Sequence, residues 1–364
     1  MAERGRHTKL TKAEWGTFAR KEIVFLGLHC AQVQNKVDQI RKALPDFRIG
    51  YLDADHSKEE GSTILSISSV EGENVHTGLS NPLEINAFAT HCDYLIINGN
   101  HHAGSRQVLF AQPEKKQSIY KRSKQLTNVI AIVADSEQSD SDSFFEGLDL
   151  GNYVSHKGDF SFDNWLLSDV QRLAPLKGIL LAGGKSERMG ADKIQLIYHQ
   201  KPQWKTAIDL MESLKIATYV SCREDQIREF EENKIISDRM NGIGPIAAIL
   251  SAFMSEPDSA WLVLAADMPD MDVLTLEKLI SARKSSRIAT AFQDILTHEP
   301  EPLAAIYEPG AYRELLLYLS HGNTCPRKFL KQAKANLIDL EDLKAFRNIN
   351  TPAERDRWLA EQKK

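Results

Sequence analysis

The chain has 364 residues, enough for roughly two domains at about 150 residues each. With 42% hydrophobic and 26% charged residues it is not a disordered chain, and a formal net charge of -5 leaves no global basic field to gather nucleic acid or an anionic membrane. Cys30, Cys92, Cys222 and Cys325 lie far apart with no C-x-x-C pair, which argues against a disulfide framework or zinc knuckle and fits a reducing cytoplasm. The opening MAERGRHTKLTKAEW has no apolar signal segment, and no stretch approaches the ~20 apolar residues of a membrane span. The expectation is a soluble, cytoplasmic protein with neither nucleic acid nor membrane as partner.

In chain order, apolar runs bounded by turn residues recur at 22–28, 47–55, 92–100 and 128–135, with polar or amphipathic segments between them. This is the rhythm of a parallel sheet with crossover helices. The polar segment 135–149 interrupts it, and a fresh strand starts at LKGILLAGG, so a boundary is expected near Pro175, with domains at 1–175 and 176–364. The second half is expected to carry strands at 176–181, 218–222, 260–267, 287–292 and 302–307. Its helices are expected near 202–215, 245–255, 272–284 and 310–320 and after Pro352. Both halves are therefore predicted to be three-layer α/β domains.

The stretch GILLAGGKSERMGADK (178–193) carries the most chemistry. A strand ending at Leu181 and Ala182 runs into Gly183 and Gly184, which can turn tightly and leave backbone N–H groups open to phosphate oxygens. Arg188 and Lys193 add a forked cation and a compact one. An ordinary strand-to-helix turn with solvated charges is the rival reading, but the spacing is neither a Walker loop nor a dinucleotide fingerprint. Asp267 closes the apolar run WLVLAA, so its carboxylate belongs at the carboxyl end of a buried strand, where Mg²⁺ could take it as the main protein ligand. The alternative is a cap for the helix after Pro269. Asn348 and Asn350 alternate along an extended segment and share one face, with an Asx turn before Pro352 as the rival.

LAGGKSERMGADK (181–193) resembles the signature loop of the MobA-like nucleotidyltransferases, above all the molybdenum cofactor guanylyltransferases. Further matches follow in order: Ser237-Asp238 before Gly244-Pro245, LAADMP (264–269), EPLAAIY (301–307), RKFL (327–330) and FRNINTP (346–352). The resemblance implies a Rossmann-like, GT-A-like fold for 176–364, with Leu181, Ala182, Gly183, Gly184, Lys193, Asp238 and Asp267 binding nucleotide. Arg188, Lys193 and Asp267 would be catalytic, Asp267 would hold Mg²⁺, and Glu301, Asn348 and Asn350 would line the acceptor side. Asp238, near the guanosine by this likeness, could also be a solvated turn residue. The implied reaction is transfer of GMP from GTP to molybdopterin with release of pyrophosphate. A cytidylyl or sugar-phosphate variant, or a non-catalytic cofactor-binding scaffold, are the alternatives. LAGG rather than LAAG favours the guanylyl or sugar branches, and intact Arg188, Lys193 and Asp267 speak against the scaffold. Three departures, Ala248, Gln200 and the VSCR of 220–223, bear on base contacts and turn geometry rather than on phosphate chemistry.

The first half is similar, more weakly, to the MobB-like GTP-binding partner of that enzyme and is expected to be a degenerate P-loop-like fold. Gln32, Val33 and Gln34 stand where the Gly, Lys and Ser/Thr of a Walker loop would enclose phosphates, so tight NTP binding is not expected. DADH (53–56) and NGNHH (98–102) end two apolar runs and should gather on one sheet edge. They serve there as caps, turns or a contact surface, or as a metal site for which no ligand spacing speaks. The basic run Lys115, Lys116, Lys121, Arg122 and Lys124 is either a solvated helix face or a receiver for an anionic pterin. Molybdoenzyme apoproteins or insertion chaperones are the further candidate partners.

Overall fold

The computed structural model describes residues 11, 13–55, 57, 62–69, 72–134, 144–182, 197, 198, 201–222, 224–230, 233–240, 242–333, 335–340, 344–349 and 351–361. They divide into two compact units, one over Glu14–Arg172 and one beginning at Leu173. The first contains β1 (Glu22–Leu26), α1 (Cys30–Ala43), β2 (Ile49–Ala54), β3 (Thr63–Ser69), β4 (Gly72–Leu79), α2 (Pro82–Ala89), β5 (Tyr94–Asn98), β6 (Gln107–Phe110), α3 (Lys116–Lys121), β7 (Val129–Ala134), β8 (Val154–Lys157) and α4 (Asp159–Gln171). The strands form one sheet in the order β4-β3-β2-β5-β1-β6-β7-β8. All five residues of β1 are buried, because its alternating side chains feed two cores. Ile23 and Phe25 pack with Val33, Val37 and Phe162, while Val24 and Leu26 pack with Ile85 and Ile119. The sheet is not wholly parallel as expected: β3 runs antiparallel to both β2 and β4. The sequence pattern hides this hairpin because β4, GENVHTGL, is an edge strand whose residues are mostly exposed and polar.

The second unit contains β9 (Leu176–Leu181), α5 (Gln203–Ser213), β10 (Ala217–Cys222), β11 (Lys234–Ser237), α6 (Pro245–Ser255), β12 (Ala260–Ala265), α7 (Val273–Ser281), β13 (Ala289–Asp294), β14 (Pro300–Tyr307), α8 (Ala311–Ser320), α9 (Pro326–Gln332), β15 (Ala335–Leu340) and α10 (Pro352–Glu361). Its sheet runs β11-β10-β9-β12-β14-β13-β15, with β14 antiparallel to both neighbours and the other pairs parallel. Strand β12 is buried on both faces. Leu262 and Leu264 meet Met211 of α5 and Leu276 of α7, while Trp261 and Val263 meet Phe253 of α6 and Leu315 of α8. Each unit is thus a three-layer α/β domain. The Gly244-Pro245 pair has a backbone reason: Gly244 sits at φ 65°, ψ -151°, a region open essentially to glycine, and Pro245 then supplies the first residue of α6.

One polar network locks α4 to the sheet of the first unit. Asp169 accepts a forked pair from Arg106 at 2.9 and 3.0 Å and the Tyr94 hydroxyl at 2.6 Å. Burial pushes the Asp169 carboxyl up, but the hydrogen bonds from Arg106 and Tyr94 outweigh it and hold the group below its ordinary 3.8. A carboxylate depressed in the folded state contributes stability above its unfolded pKa, and that contribution disappears as pH falls through the folded value. Asp169→Asn should therefore destabilise the first unit by about 3 kcal/mol near neutrality, and the difference from the unsubstituted chain should shrink as pH falls below the carboxylate range. Thermal unfolding followed by circular dichroism against pH checks both; a difference that stays constant from neutral to acid pH would sink the assignment.

Candidate functional site

The parallel strands of the second unit bring their carboxyl ends to one edge. Leu181 ends β9, and the backbone continues its ladder: Ala182 N–H donates to Ser221 O at 2.9 Å, and Leu181 O accepts from Ala266 N at 3.3 Å. On the neighbouring strand Ser221 is buried and donates its hydroxyl to Asp238 Oδ1 at 2.6 Å, just past the end of β11. Asp238 is thus a half-buried group tied to the sheet and not a solvated turn residue. Its carboxyl is pushed up by burial, with the Ser221 bond working the other way.

Strand β12 ends at Ala265, two residues earlier than the sequence pattern suggests, and Asp267 lies in the turn that follows. The capping role weighed for Asp267 belongs to Asp272, whose side chain accepts from Thr275 N at 2.8 Å at the start of α7. The Asp267 carbonyl accepts from Ile349 N at 3.1 Å, so the segment that carries Asn348 is pinned to this turn. Asn348 Oδ1 is buried and has no hydrogen-bond partner among the described residues. Because β14 runs antiparallel to β12, with Leu264 opposite Ala304, its first residues reach the same edge. There Glu301 accepts from Leu303 N at 3.0 Å and stands 3.6 Å from Arg327 of α9. Burial raises the Glu301 carboxyl, Leu303 and Arg327 oppose this, and the Asp267 charge adds to it.

Of the residues singled out in the sequence, Leu181, Ala182, Asp238, Asp267, Glu301 and Asn348 are brought to one edge. Gly183, Gly184, Arg188, Lys193 and Asn350 lie outside the described residues. Four residues not singled out in the sequence join those at the edge. Arg347 forks onto Asp270 Oδ2 at 2.9 and 2.8 Å, and Trp358 Nε1 donates to Asp270 Oδ1 at 2.7 Å, a clamp between the LAADMPD turn and the C-terminal segment. Tyr198 packs edge-on against Trp358, with ring centroids 5.3 Å apart, and joins Ile349 in a small buried cluster. Only 8% of Tyr198 is exposed, and its hydroxyl has no hydrogen-bond partner among the described residues. Burial pushes that hydroxyl up to about 12; Arg355 opposes this, and the Asp267 charge adds to it. A motif search misses Tyr198 because the signal lies in its burial beside Asp267.

The first unit uses its Walker-like positions otherwise. Val33 is fully buried, Gln32 Oε1 accepts from His29 N at 2.8 Å, and Gln34 donates to Asp38 at 2.9 Å. None of these side chains offers a cation to the loop. Asp53, Asn98 and His101 do gather at the end of β2 and β5, whereas His56 lies outside the described residues. Among the described residues no group of three or more His, Cys, Asp or Glu is placed to hold a metal ion, and no helix is long and apolar enough to cross a membrane.

The family described as MobA-like NTP transferase domain matches residues 178–337. The chain is 33% identical over 187 residues to a molybdenum cofactor biosynthesis bifunctional protein of Synechocystis, covering 51% of this chain and 54% of that one, so it spans about half the length of that relative. It is 30% identical over 196 residues to the molybdenum cofactor guanylyltransferase of Yersinia pestis, covering 52% of this chain and 96% of the relative. Among solved structures, the molybdopterin-guanine dinucleotide biosynthesis protein A of Archaeoglobus fulgidus is 26% identical with a TM-score of 0.44, over 51% of this chain and 99% of that one. The ordered motifs and the relatives matched by sequence agree: through its second unit the chain belongs to the MobA-like NTP transferase family and is a nucleotidyltransferase.

Proposed function

We propose that the chain transfers GMP from GTP to the terminal phosphate of molybdopterin, releasing pyrophosphate, in a Mg²⁺-dependent reaction in the cytoplasm. The observation that supports this reading best is the pairing of Asp267 with Asn348 through the Ile349 bond. It leaves a buried amide oxygen, without a hydrogen-bond partner among the described residues, on the segment pinned to the Asp267 turn. Leaving a buried acceptor unpaired costs about 1 to 3 kcal/mol, a cost that a ligand or an ion-bound water offsets. Hard oxygen donors in small number suit Mg²⁺, which takes one or two carboxylates and completes its shell with water and phosphate. Asp267 and Asn348 would hold the ion, and Mg²⁺, when bound, neutralises charge on the triphosphate.

In this reading the strand end at Leu181–Ala182 presents the glycine loop to the triphosphate, and Arg188 and Lys193 steady the α-phosphate and the departing pyrophosphate. An oxygen of the acceptor phosphate attacks the α-phosphorus as the bond to pyrophosphate breaks, and no protein nucleophile is needed. Asp238, held by Ser221, stands on the guanosine side; Glu301, Asn348 and Asn350 stand on the acceptor side. The relatives named for molybdenum cofactor guanylyltransfer support GTP and molybdopterin as the two substrates. The first half is a degenerate MobB-like domain that serves the pterin and its downstream partners.

Pyrophosphate release measured with each NTP and molybdopterin should be fastest with GTP; faster release with CTP would overturn the base assignment. Asp267→Ala should reduce GTP turnover by on the order of a hundredfold or more, and so should Lys193→Ala, the scale for losing one preorganised charge contact. An Asp267→Ala enzyme of normal activity would remove the metal role. Tyr198→Phe removes a buried hydroxyl that has no hydrogen-bond partner among the described residues, so the melting temperature should hold or rise while kcat falls about tenfold. A fall in stability with unchanged kcat would mark the residue as packing only. Calorimetric titration of the whole chain with GTP and Mg²⁺ should give one site per chain, since Val33 is buried where a P-loop places its lysine. Two sites would restore a nucleotide pocket to the first half.

A further inference from the structure

The carboxyl edge of the first unit carries a thiol that neither the transferase chemistry nor the P-loop likeness explains. Cys30 is the first residue of α1 and is half-buried, with its Sγ 3.4 Å from His101 Nε2. The same imidazole nitrogen lies 3.7 Å from Asp53 Oδ1. Asp53 is itself fixed by the Tyr51 hydroxyl at 2.6 Å, by Asn98 Nδ2 at 3.0 Å and by Ala54 N at 2.8 Å. Burial, with the Asp53 carboxylate adding to it, holds the Tyr51 hydroxyl well above its usual range, so it stays a donor and keeps the carboxylate in place. A nucleophile, a base beside it and a carboxylate near enough to stabilise the charged base are parts that an activated thiol uses.

Beside this group lies a narrow cleft lined by Leu26, Gly27, Asn100, Lys115, Ser118 and Arg122. Asn100 joins the two features: it donates to Leu28 O at 2.9 Å, and its Nδ2 is 3.8 Å from Cys30 Sγ. Lys115 and Arg122 are both half-buried. Arg122 donates to Gly99 O at 2.7 Å, and neither cation has a carboxylate partner among the described residues. Half-buried cations without acids, next to hydrogen-bond donors, favour an anionic group.

We propose that Cys30 is a nucleophilic thiol site that exchanges with small anionic disulfides, with His101 as base and the Lys115–Arg122 cleft holding the negative group. In the exchange Cys30 Sγ attacks one sulfur of the disulfide, a new S–S bond forms as the old one breaks, and the other half leaves as a thiolate. The thiol proton passes to His101 Nε2, Asp53 stabilises the imidazolium, and the start of α1 favours negative charge on sulfur during the attack. Cys30 ends oxidised in a mixed disulfide and the departing half ends reduced, so the disulfide is the only oxidant required. The other thiols lack this setting. Cys222 is fully buried, and burial, with Asp93 adding to it, pushes the Cys92 thiol up to about 12. Cys325 has no imidazole at hydrogen-bond distance among the described residues.

The test incubates the whole chain with oxidised glutathione, which is anionic, or with cystamine, which is cationic, and follows adducts by intact mass and peptide mapping. Cys30 should carry the first adduct with oxidised glutathione, and His101→Gln should slow it about tenfold or more. Lys115→Gln and Arg122→Gln should lower the ratio of the glutathione rate to the cystamine rate by severalfold while leaving the cystamine rate close to that of the unsubstituted chain. A first adduct at Cys92 or Cys325, or an unchanged rate in His101→Gln, would overturn the site. An unchanged ratio in both cation variants would overturn the anion preference. Should a variant fail to fold, the unsubstituted chain still decides: the glutathione rate must fall relative to the cystamine rate as salt is raised, and a ratio indifferent to salt would refute the cleft's part.

Discussion

The candidate transferase site depends on the two-sided pairing of β12. On one side it runs parallel to β9, with Ala265 opposite Leu181; on the other it runs antiparallel to β14, with Leu264 opposite Ala304. Parallel pairing brings two strand ends to one edge, and antiparallel pairing brings a strand beginning to that same edge. This is why the glycine-loop approach, the Asp267 turn and Glu301, separated by long stretches of chain, arrive together. A shift of one residue in β12 would exchange the side chains facing the two cores, placing Trp261 among the neighbours of Leu262. The burial of all six residues of β12 forbids it, so the core fixes the register and the register fixes the site.

The edge is completed from the far end of the chain, where the restraint is polar rather than apolar. Asp270 receives both Arg347 and Trp358, and the Ile349 N–H reaches the Asp267 carbonyl. Arg347 also meets Glu361, and both its acidic partners hold the guanidinium charged. Exposed ion pairs contribute little on their own, about 0 to 1 kcal/mol, so the value of this clamp lies in position more than in stability. It holds the short segment that carries Asn348 against the Asp267 turn, with Ile349 fully buried beside it. A group that must meet a phosphate or an ion within a few tenths of an ångström needs such support.

Much of this was legible in the sequence because the deciding signals were local. Apolar runs and turn residues mark β1, β2, β5, β7, β9 and β12, and the ordered motifs mark Asp238, Asp267 and Asn348 as one constellation. Strands without a strong pattern were not legible. KIIS of β11 is short, ANLIDL of β15 is only half-buried, and GENVHTGL of β4 faces solvent, so none shows the apolar run that burial on both faces produces. The cap was ambiguous for a related reason. Asp267, Asp270 and Asp272 stand within one short stretch, and sequence alone cannot say that Asp272 caps α7, Asp270 takes the clamp and the Asp267 carbonyl receives Ile349. Tyr198 carries no motif at all. Its place is set by contacts with Trp358 and Ile349, which come from distant parts of the chain.

The two units put the same architectural device to different chemical use. Each has a buried strand that ends at an open sheet edge, where ligands bind in α/β folds. In the second unit that edge is furnished with oxygen acceptors, a set suited to a cation and to the phosphates it accompanies. In the first, Gly27 makes the turn at φ +88°, with the Phe110 carbonyl 2.3 Å from where a Cβ would stand, so the backbone approaches closely there. The side chains differ from those of a P-loop: Val33 lies in the core and Gln32 caps the helix. A triphosphate carries several negative charges and needs cations at the loop itself, whereas a sulfur passing through a single negative charge needs one base and a helix start. None of Gln32, Val33 and Gln34 supplies the lysine of a P-loop, and the Cys30–His101–Asp53 group stands at this same edge.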